Sequence, residues 1–376
     1  MLPSLSVFVL VFLWVFIDVN GQRCTTPNNE NAQCISIYDC GVLYNSLTSK
    51  DSQIIRFLRQ SQCGYNQVPY VCCGTVATYQ SASRPATSRP PTNSGNRPSN
   101  LLPNRGTCGF QEGSKVLGGT QTTHSEFPWM ALLEYRKNVG GGRTFSCGGA
   151  LITTRNVLTA AHCVTGKIRE QVGLLISVRL GEWNTDTSQD CVNVDGFALC
   201  NEEPINVAVE NFVAHEDYDD SSINRYHDIA LVRLARAVQF TDFIQPICLP
   251  TPAERAAVGN QLWVAGWGRT EYANSSPVKL KVRLPIVSNS QCSNTFRRAG
   301  VSLSNSQLCA GGERNKDSCN GDSGGPLMQV MNSDTNPQWY VEGIVSFGTR
   351  CGTENWPGIY TRVVDYLDWI NNNLVS

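Results

Sequence analysis

Residues 317–326 read Asp317-Ser318-Cys319-Asn320-Gly321-Asp322-Ser323-Gly324-Gly325-Pro326. Ser323 sits between an acid and two glycines, and glycine, lacking Cβ, lets backbone crowd close to a bound molecule. A hydroxyl in that setting suits nucleophilic attack. The N–H groups of Gly321 and Ser323 can point at one spot and hold the oxygen that turns negative when Ser323 Oγ attacks a carbonyl. Taken as an isolated string, the same residues also describe a glycine-rich turn.

Two further motifs decide between those readings. A serine hydroxyl is a poor nucleophile until a base of near-neutral pKa removes its proton, and imidazole suits that task. His162 stands in Leu158-Thr159-Ala160-Ala161-His162-Cys163. The imidazole in turn needs a carboxylate to fix its tautomer and stabilise its charged form, and Asp228 stands in His227-Asp228-Ile229-Ala230-Leu231. Each motif alone is weak, since a lone histidine is usually structural and an aspartate before an apolar run is commonly a turn or cap. Together, in the order His162, Asp228, Ser323, they resemble the trypsin-like (chymotrypsin-family) serine proteases. The other histidines, His124, His215 and His227, lack such flanks and read as structural.

The resemblance implies roles for neighbouring residues. Asp317 would lie at the base of the primary specificity pocket, with Gly348 and Gly358 as its walls. A carboxylate at the bottom of a partly desolvated slot favours a cationic side chain, so cleavage after Arg or Lys is expected. Phe347 stands where the family often has Trp, and Arg350, near the rim, is expected to disfavour basic residues beyond the first position. Upstream, Ser114-Lys115-Val116-Leu117-Gly118-Gly119 resembles the family's activation site, with the cut after Lys115 freeing the Val116 ammonium. A buried ammonium requires a buried carboxylate, and the resemblance names Asp322. Cleavage would then order the loop bearing Gly321 and Ser323.

The chain has 376 residues, long enough for two domains, and a formal charge of −1. No basic excess points to nucleic acid, so protein partners are expected. Sixteen cysteines imply an oxidising compartment, whereas four histidines and no repeated C-x₂-C pairs argue against a zinc protein. The nearly all-apolar run from Ser6 to Phe16 is short for a membrane span and suits a secretory signal, residues 1–21. No later run is long enough to span a bilayer.

Cys24, Cys34, Cys40, Cys63, Cys72 and Cys73 crowd into a block too small to be held by core burial alone. Spacing leaves their connectivity open. The block, 22–73, resembles the clip domain of arthropod clip-domain serine proteases, the prophenoloxidase-activating type among them. That resemblance implies Cys24–Cys72, Cys34–Cys63 and Cys40–Cys73. Residues 74–115 form a linker and activation segment, rich in Ser, Thr, Pro, Asn and Arg over its first part. In the protease domain, 116–376, the resemblance implies Cys147–Cys163, Cys292–Cys309 and Cys319–Cys351, with Cys108–Cys248 tying the light chain on and Cys191–Cys200 left over in a surface loop. Glu182 and Glu203 flank that loop where some relatives bind calcium; a solvated acidic loop is the alternative. Asn274-Ser275-Ser276 is an N-glycosylation acceptor.

Short Val/Ile/Leu-rich runs read as strands at 150–152, 175–180, 205–209, 229–232, 262–265, 280–284 and 341–345. Only the end looks helical, with Val363, Tyr366, Leu367 and Ile370 on one face. The pattern argues for an all-β domain, and the resemblance selects two six-stranded Greek-key barrels with the active site between them. The expected protein is a secreted serine endopeptidase zymogen of an extracellular cascade, melanisation or Toll-pathway, in a haemolymph-like fluid. Its expected partners are protein substrates, an upstream activating protease and a serpin-type inhibitor, with no cofactor required. A non-catalytic clip-domain binding cofactor and a venom or digestive trypsin are the alternatives.

Overall fold

In the computed structural model the described residues are 22–46, 54, 57–58, 60–66, 68–77, 101–111, 121–194, 197–332, 337–349 and 351–374. Two compact units divide the chain, Met1–Gly95 and Asn96–Ser376. Lys115, Val116, Arg350 and the signal segment lie outside the described residues.

The first unit holds strands β1 (Gln22–Thr25), β2 (Asn31–Ser36), β3 (Gln62–Asn66) and β4 (Val68–Cys73) in one antiparallel sheet of order β1-β2-β4-β3. Among its described residues Ile37, Cys40, Leu43, Phe57 and Val71 form the buried cluster. So few apolar side chains cannot offset the chain entropy of folding, and cross-links supply the difference. Three bridges do so, Cys24–Cys72, Cys34–Cys63 and Cys40–Cys73.

The second unit contains strands β5 (Met130–Lys137), β6 (Arg143–Leu151), β7 (Asn156–Thr159), β8 (Gly173–Leu180), β9 (Cys191–Val194), β10 (Phe197–Cys200), β11 (Ile205–Ala214) and β12 (Ala230–Leu234). These are followed by β13 (Gln261–Gly266), β14 (Leu280–Val287), β15 (Gln307–Gly311), β16 (Pro326–Asn332), β17 (Pro337–Phe347) and β18 (Pro357–Arg362). Twelve of them close into two barrels, β11-β12-β7-β6-β5-β8 and β13-β14-β15-β18-β17-β16. Closure removes the exposed sheet edges that would otherwise template aggregation. Strands β9 and β10 form a separate hairpin clipped by Cys191–Cys200, whose two cysteines face each other in register. The helical end begins as a 3₁₀ turn, Val363–Tyr366, and becomes α-helical over Leu367–Asn373, with Val363, Tyr366 and Ile370 buried. Trp129, Trp339 and Met328 belong to one continuous core that draws on both barrels, so the two halves have little freedom to separate.

Candidate active site

Antiparallel pairing brings the first two residues together. Thr159, the last residue of β7, faces Ala230, the first of β12. His162 follows Thr159 in the 3₁₀ turn Ala161–Cys163, and Asp228 precedes Ala230, so both emerge at one end of the same strand pair. His162 Nδ1 lies 2.7 Å from Asp228 Oδ2, and the His162 backbone N–H donates to Asp228 Oδ1 at 2.9 Å. The Asp228 side chain is fully buried, and that of His162 is 12 % exposed. Burial alone would raise the Asp228 pKa, but the charge of His162 and the hydrogen bonds from His162 and Ser346 outweigh it and hold the group below its ordinary value. Asp228 is therefore a standing anion.

The second barrel grips Asp228 from behind. Ser346 Oγ on β17 donates to Asp228 Oδ2 at 2.5 Å, and Thr361 Oγ1 on β18 donates to its carbonyl oxygen at 2.8 Å. Neither contact was legible from motifs. The residue adjoining Phe347 carried no separate signal, because the pairing spans 118 positions of sequence.

Ser323 lies in the loop between β15 and β16. Gly148 N–H on β6 donates to Ser323 O at 2.8 Å, and Thr159 Oγ1 donates to Gly148 O at 2.8 Å. The loop can come this close because of Gly324, whose φ is +77° and where a Cβ would fall 2.2 Å from Thr159 Oγ1 and 3.1 Å from Cys163 Sγ. The nucleophile loop thus rests on the strand and disulfide that carry His162. Among the described residues Ser323 Oγ has no hydrogen-bond partner, His162 included. Such catalytic contacts commonly tighten only when substrate binds. Gly321, at φ +101°, and Ser323 keep their N–H groups free of partners among the described residues. Two unpaired donors beside the nucleophile are what a developing oxyanion requires.

Asp322 turns the other way. Its Oδ1 accepts Gly268 N–H at 2.9 Å and its Oδ2 accepts Cys319 N–H at 3.0 Å. Desolvation outweighs these two bonds and pushes its pKa up to about 6. A carboxylate in that position gains from a cation.

Asp317, the residue expected at the base of the specificity pocket, is partly buried. Gly352 N–H donates to Asp317 Oδ2 at 3.1 Å, and Cys319–Cys351 ties the two loops together. A Cβ at Gly358 would stand 3.3 Å from Asp317 Oδ1, and one at Gly348 would stand 3.8 Å from Gly358 Cα, so Gly358 borders Asp317 and Gly348 borders Gly358. Asp317 Oδ1 is buried without a hydrogen-bond partner. Desolvation raises the Asp317 pKa to about 6. A buried carboxylate oxygen without a partner is one that a guanidinium or ammonium would satisfy.

The bridges Cys108–Cys248, Cys147–Cys163, Cys191–Cys200, Cys292–Cys309 and Cys319–Cys351 complete the eight pairs, and no free cysteine remains. Asn274 is exposed between β13 and β14, whereas Ser276 Oγ is tied to Val278 O at 2.6 Å.

Glu182 and Glu203, the acids expected to flank a calcium-binding loop, differ in their settings. The Glu182 carboxylate is buried and already accepts from Arg179 Nη1 and Trp183 N–H, both at 3.0 Å, while Glu203 is exposed and shares no partner with it. The acid beside Glu182 is Asp190, which also accepts Trp183 N–H, at 3.0 Å. Positive charge there comes from Arg179 and from the buried ammonium of Lys279, 3.5 Å from Glu182 O. Burial lowers the Lys279 pKa to about 8, against the pull of Glu126, Glu182 and Asp190. Burial and the neighbouring Asp190 raise the Glu182 pKa against the pull of Arg179.

The geometry is that of a serine endopeptidase, and the comparisons agree. Residues 116–370 match the Trypsin family and residues 24–73 match the regulatory CLIP domain of proteinases, so the chain belongs to the trypsin family as a clip-domain serine protease. It is 50 % identical to phenoloxidase-activating factor 1 of Holotrichia diomphalia, over 96 % of this chain and 97 % of that one. It is 43 % identical to serine protease ea of Drosophila melanogaster, over 95 % and 92 %. Among solved structures it resembles the Drosophila Grass clip serine protease of the Toll pathway, with TM-score 0.63, 34 % identity and coverage of 94 % and 97 %.

Proposed function

We propose that the chain is a secreted protease precursor, activated by a cut after Lys115, that hydrolyses protein substrates after Arg or Lys in an extracellular cascade. The observation that carries the specificity is the buried, unpartnered Oδ1 of Asp317, bordered by Gly358. With an arginine or lysine side chain against Asp317, Ser323 Oγ attacks the scissile carbonyl carbon while its proton passes to the unbound ring nitrogen of His162. The carbonyl oxygen, now negative, is held by the N–H groups of Gly321 and Ser323. Asp228 keeps the imidazole oriented and stabilises the imidazolium. Collapse expels the amine with the proton from His162, and water releases the acyl group by the same route in reverse.

Activation acts through Asp322. Its raised pKa marks a carboxylate short of a cation, and the Val116 ammonium freed by cleavage would supply one, locking the loop that bears Gly321 and Ser323. Likeness to phenoloxidase-activating factors favours a melanisation protease, and the Toll-pathway relatives favour a neighbouring branch of the same kind of cascade.

The test uses full-length chains and an arginyl peptide reporter. Wild type treated with an activating protease is expected to turn over, whereas Ser323→Ala and Lys115→Gln, treated identically, are expected to be secreted and inert. Turnover by Ser323→Ala rejects the nucleophile, and full activity of the uncut Lys115→Gln chain rejects the switch. Mass spectrometry of extracellular proteins cut by the activated enzyme would then separate the two branches.

A further inference from the structure

Two sets of metal-ligating side chains come together among the described residues, and in one of them, Cys147, His162 and Cys163, the thiols are consumed by a disulfide. The other is His215, Asp217 and His227, with one ligand atom from each within 4.8 Å of the other two. Its origin is topological. Ala214 ends β11 opposite Ala230 at the start of β12, so His215 and His227 leave the same end of one strand pair. His215 N–H donates to Ile229 O at 3.0 Å, which fixes the first histidine against the segment that carries the second.

The rings are held by their surroundings. The two imidazoles stack 4.7 Å apart at 22°, Trp369 also stacks on His215 at 5.3 Å, and the Tyr366 ring meets both edge-on. Tyr366 Oη lies 3.1 Å from His227 Nδ1, the kind of outer partner that orients a ligating imidazole. Asp217 is exposed and free to adjust, and Glu216 Oε2 stands 3.9 Å from His215 Nδ1 as a further acid. Two imidazoles, a carboxylate and open access for water suit zinc rather than calcium or magnesium, which select oxygen.

We propose that His215, Asp217 and His227 form a Zn²⁺ site whose occupancy restrains the protease. His227 adopts φ +57°, a left-handed conformation costly for a residue with a Cβ, and it directly precedes Asp228. An ion that draws His227 toward His215 acts on the backbone that places the Asp228 carboxylate against His162. An ion bound at His215 Nδ1 must displace the 3.2 Å bond that this nitrogen accepts from Asp217 N–H. This inference stands apart from the cleavage reaction and adds an inhibitory ligand to it.

Zinc chloride titrated by calorimetry into full-length Ser323→Ala protein should bind one ion per chain. Cobalt in its place should give the visible absorption of a low-coordinate ion. His215→Gln and Asp217→Asn should each weaken both signals by roughly tenfold or more. In activated wild type, micromolar zinc should lower kcat on the arginyl reporter, and His215→Gln should need roughly tenfold more zinc for the same effect. Absence of binding heat overturns the site. Binding and inhibition unchanged by His215→Gln also overturn it, by placing the ion elsewhere, with His162 the first alternative.

Discussion

At Asp317, burial has two effects. It leaves Oδ1 waiting for a substrate cation, and it raises the pKa to about 6. As pH falls through that value the carboxylate takes up a proton and loses the charge that attracts the cation; as pH rises above it, the charge is restored. KM for an arginyl reporter should therefore climb between about pH 7 and pH 5, by roughly tenfold for each unit below the pKa. In Asp317→Asn it should be high and flat across the range. Steady-state kinetics over that interval would show whether binding follows Asp317. Ser346 gives a second residue-level expectation. Removing its hydroxyl leaves the buried Asp228 carboxylate with one donor fewer, and hydrogen bonds to charged groups are worth about 1.5–3 kcal/mol. Ser346→Ala should lower kcat/KM by roughly tenfold or more, chiefly through kcat, while leaving the reporter's KM near its wild-type value.

At the scale of elements, the nucleophile loop depends on a close approach that no other residue can make. A Cβ at Gly324 would meet Thr159 Oγ1 at 2.2 Å and Gly148 O at 2.7 Å, at a φ that side chains disfavour. Gly324→Ala should cost on the order of 1–3 kcal/mol of stability and displace Ser323 from His162. Thermal denaturation should register the first effect and loss of kcat the second. The same loop explains what a reader of the sequence could find. The three catalytic residue types are dictated by chemistry and occur in short motifs, so they were visible. Lys279, whose ammonium stands 3.5 Å from Glu182 O across 97 positions of sequence, acts through a pairing between distant strands and was not. Strands fared by the same rule. β8, β11 and β14 carry runs rich in branched apolar residues, whereas β15 and β18 are buried throughout and show no alternation. β18 even opens with Pro357-Gly358, residues that ordinarily mark a turn. A Cβ at Gly358 would stand 3.1 Å from the Tyr360 ring and 3.3 Å from Asp317 Oδ1, so the space left there, and not strand propensity, selects glycine.

For the whole molecule, Cys108–Cys248 carries the consequence that remains. The bridge joins residues 140 positions apart, on either side of Lys115, so a chain cut there stays a single covalent object. Whatever partner the clip unit binds is then delivered to the cleft at a local concentration set by chain length, and not by its abundance in the fluid. A small reporter gains nothing from this arrangement, whereas a large substrate that grips both parts gains much. Replacing both cysteines with serine should leave arginyl-reporter kinetics unchanged after activation but release the clip-bearing fragment on a non-reducing gel. Cleavage of the protein substrate should fall by at least roughly tenfold. Equal cleavage by the severed and tethered forms would show that the clip unit is a bystander. Otherwise the disulfide makes the enzyme bivalent, with selectivity that resides in the leash as well as in the blade.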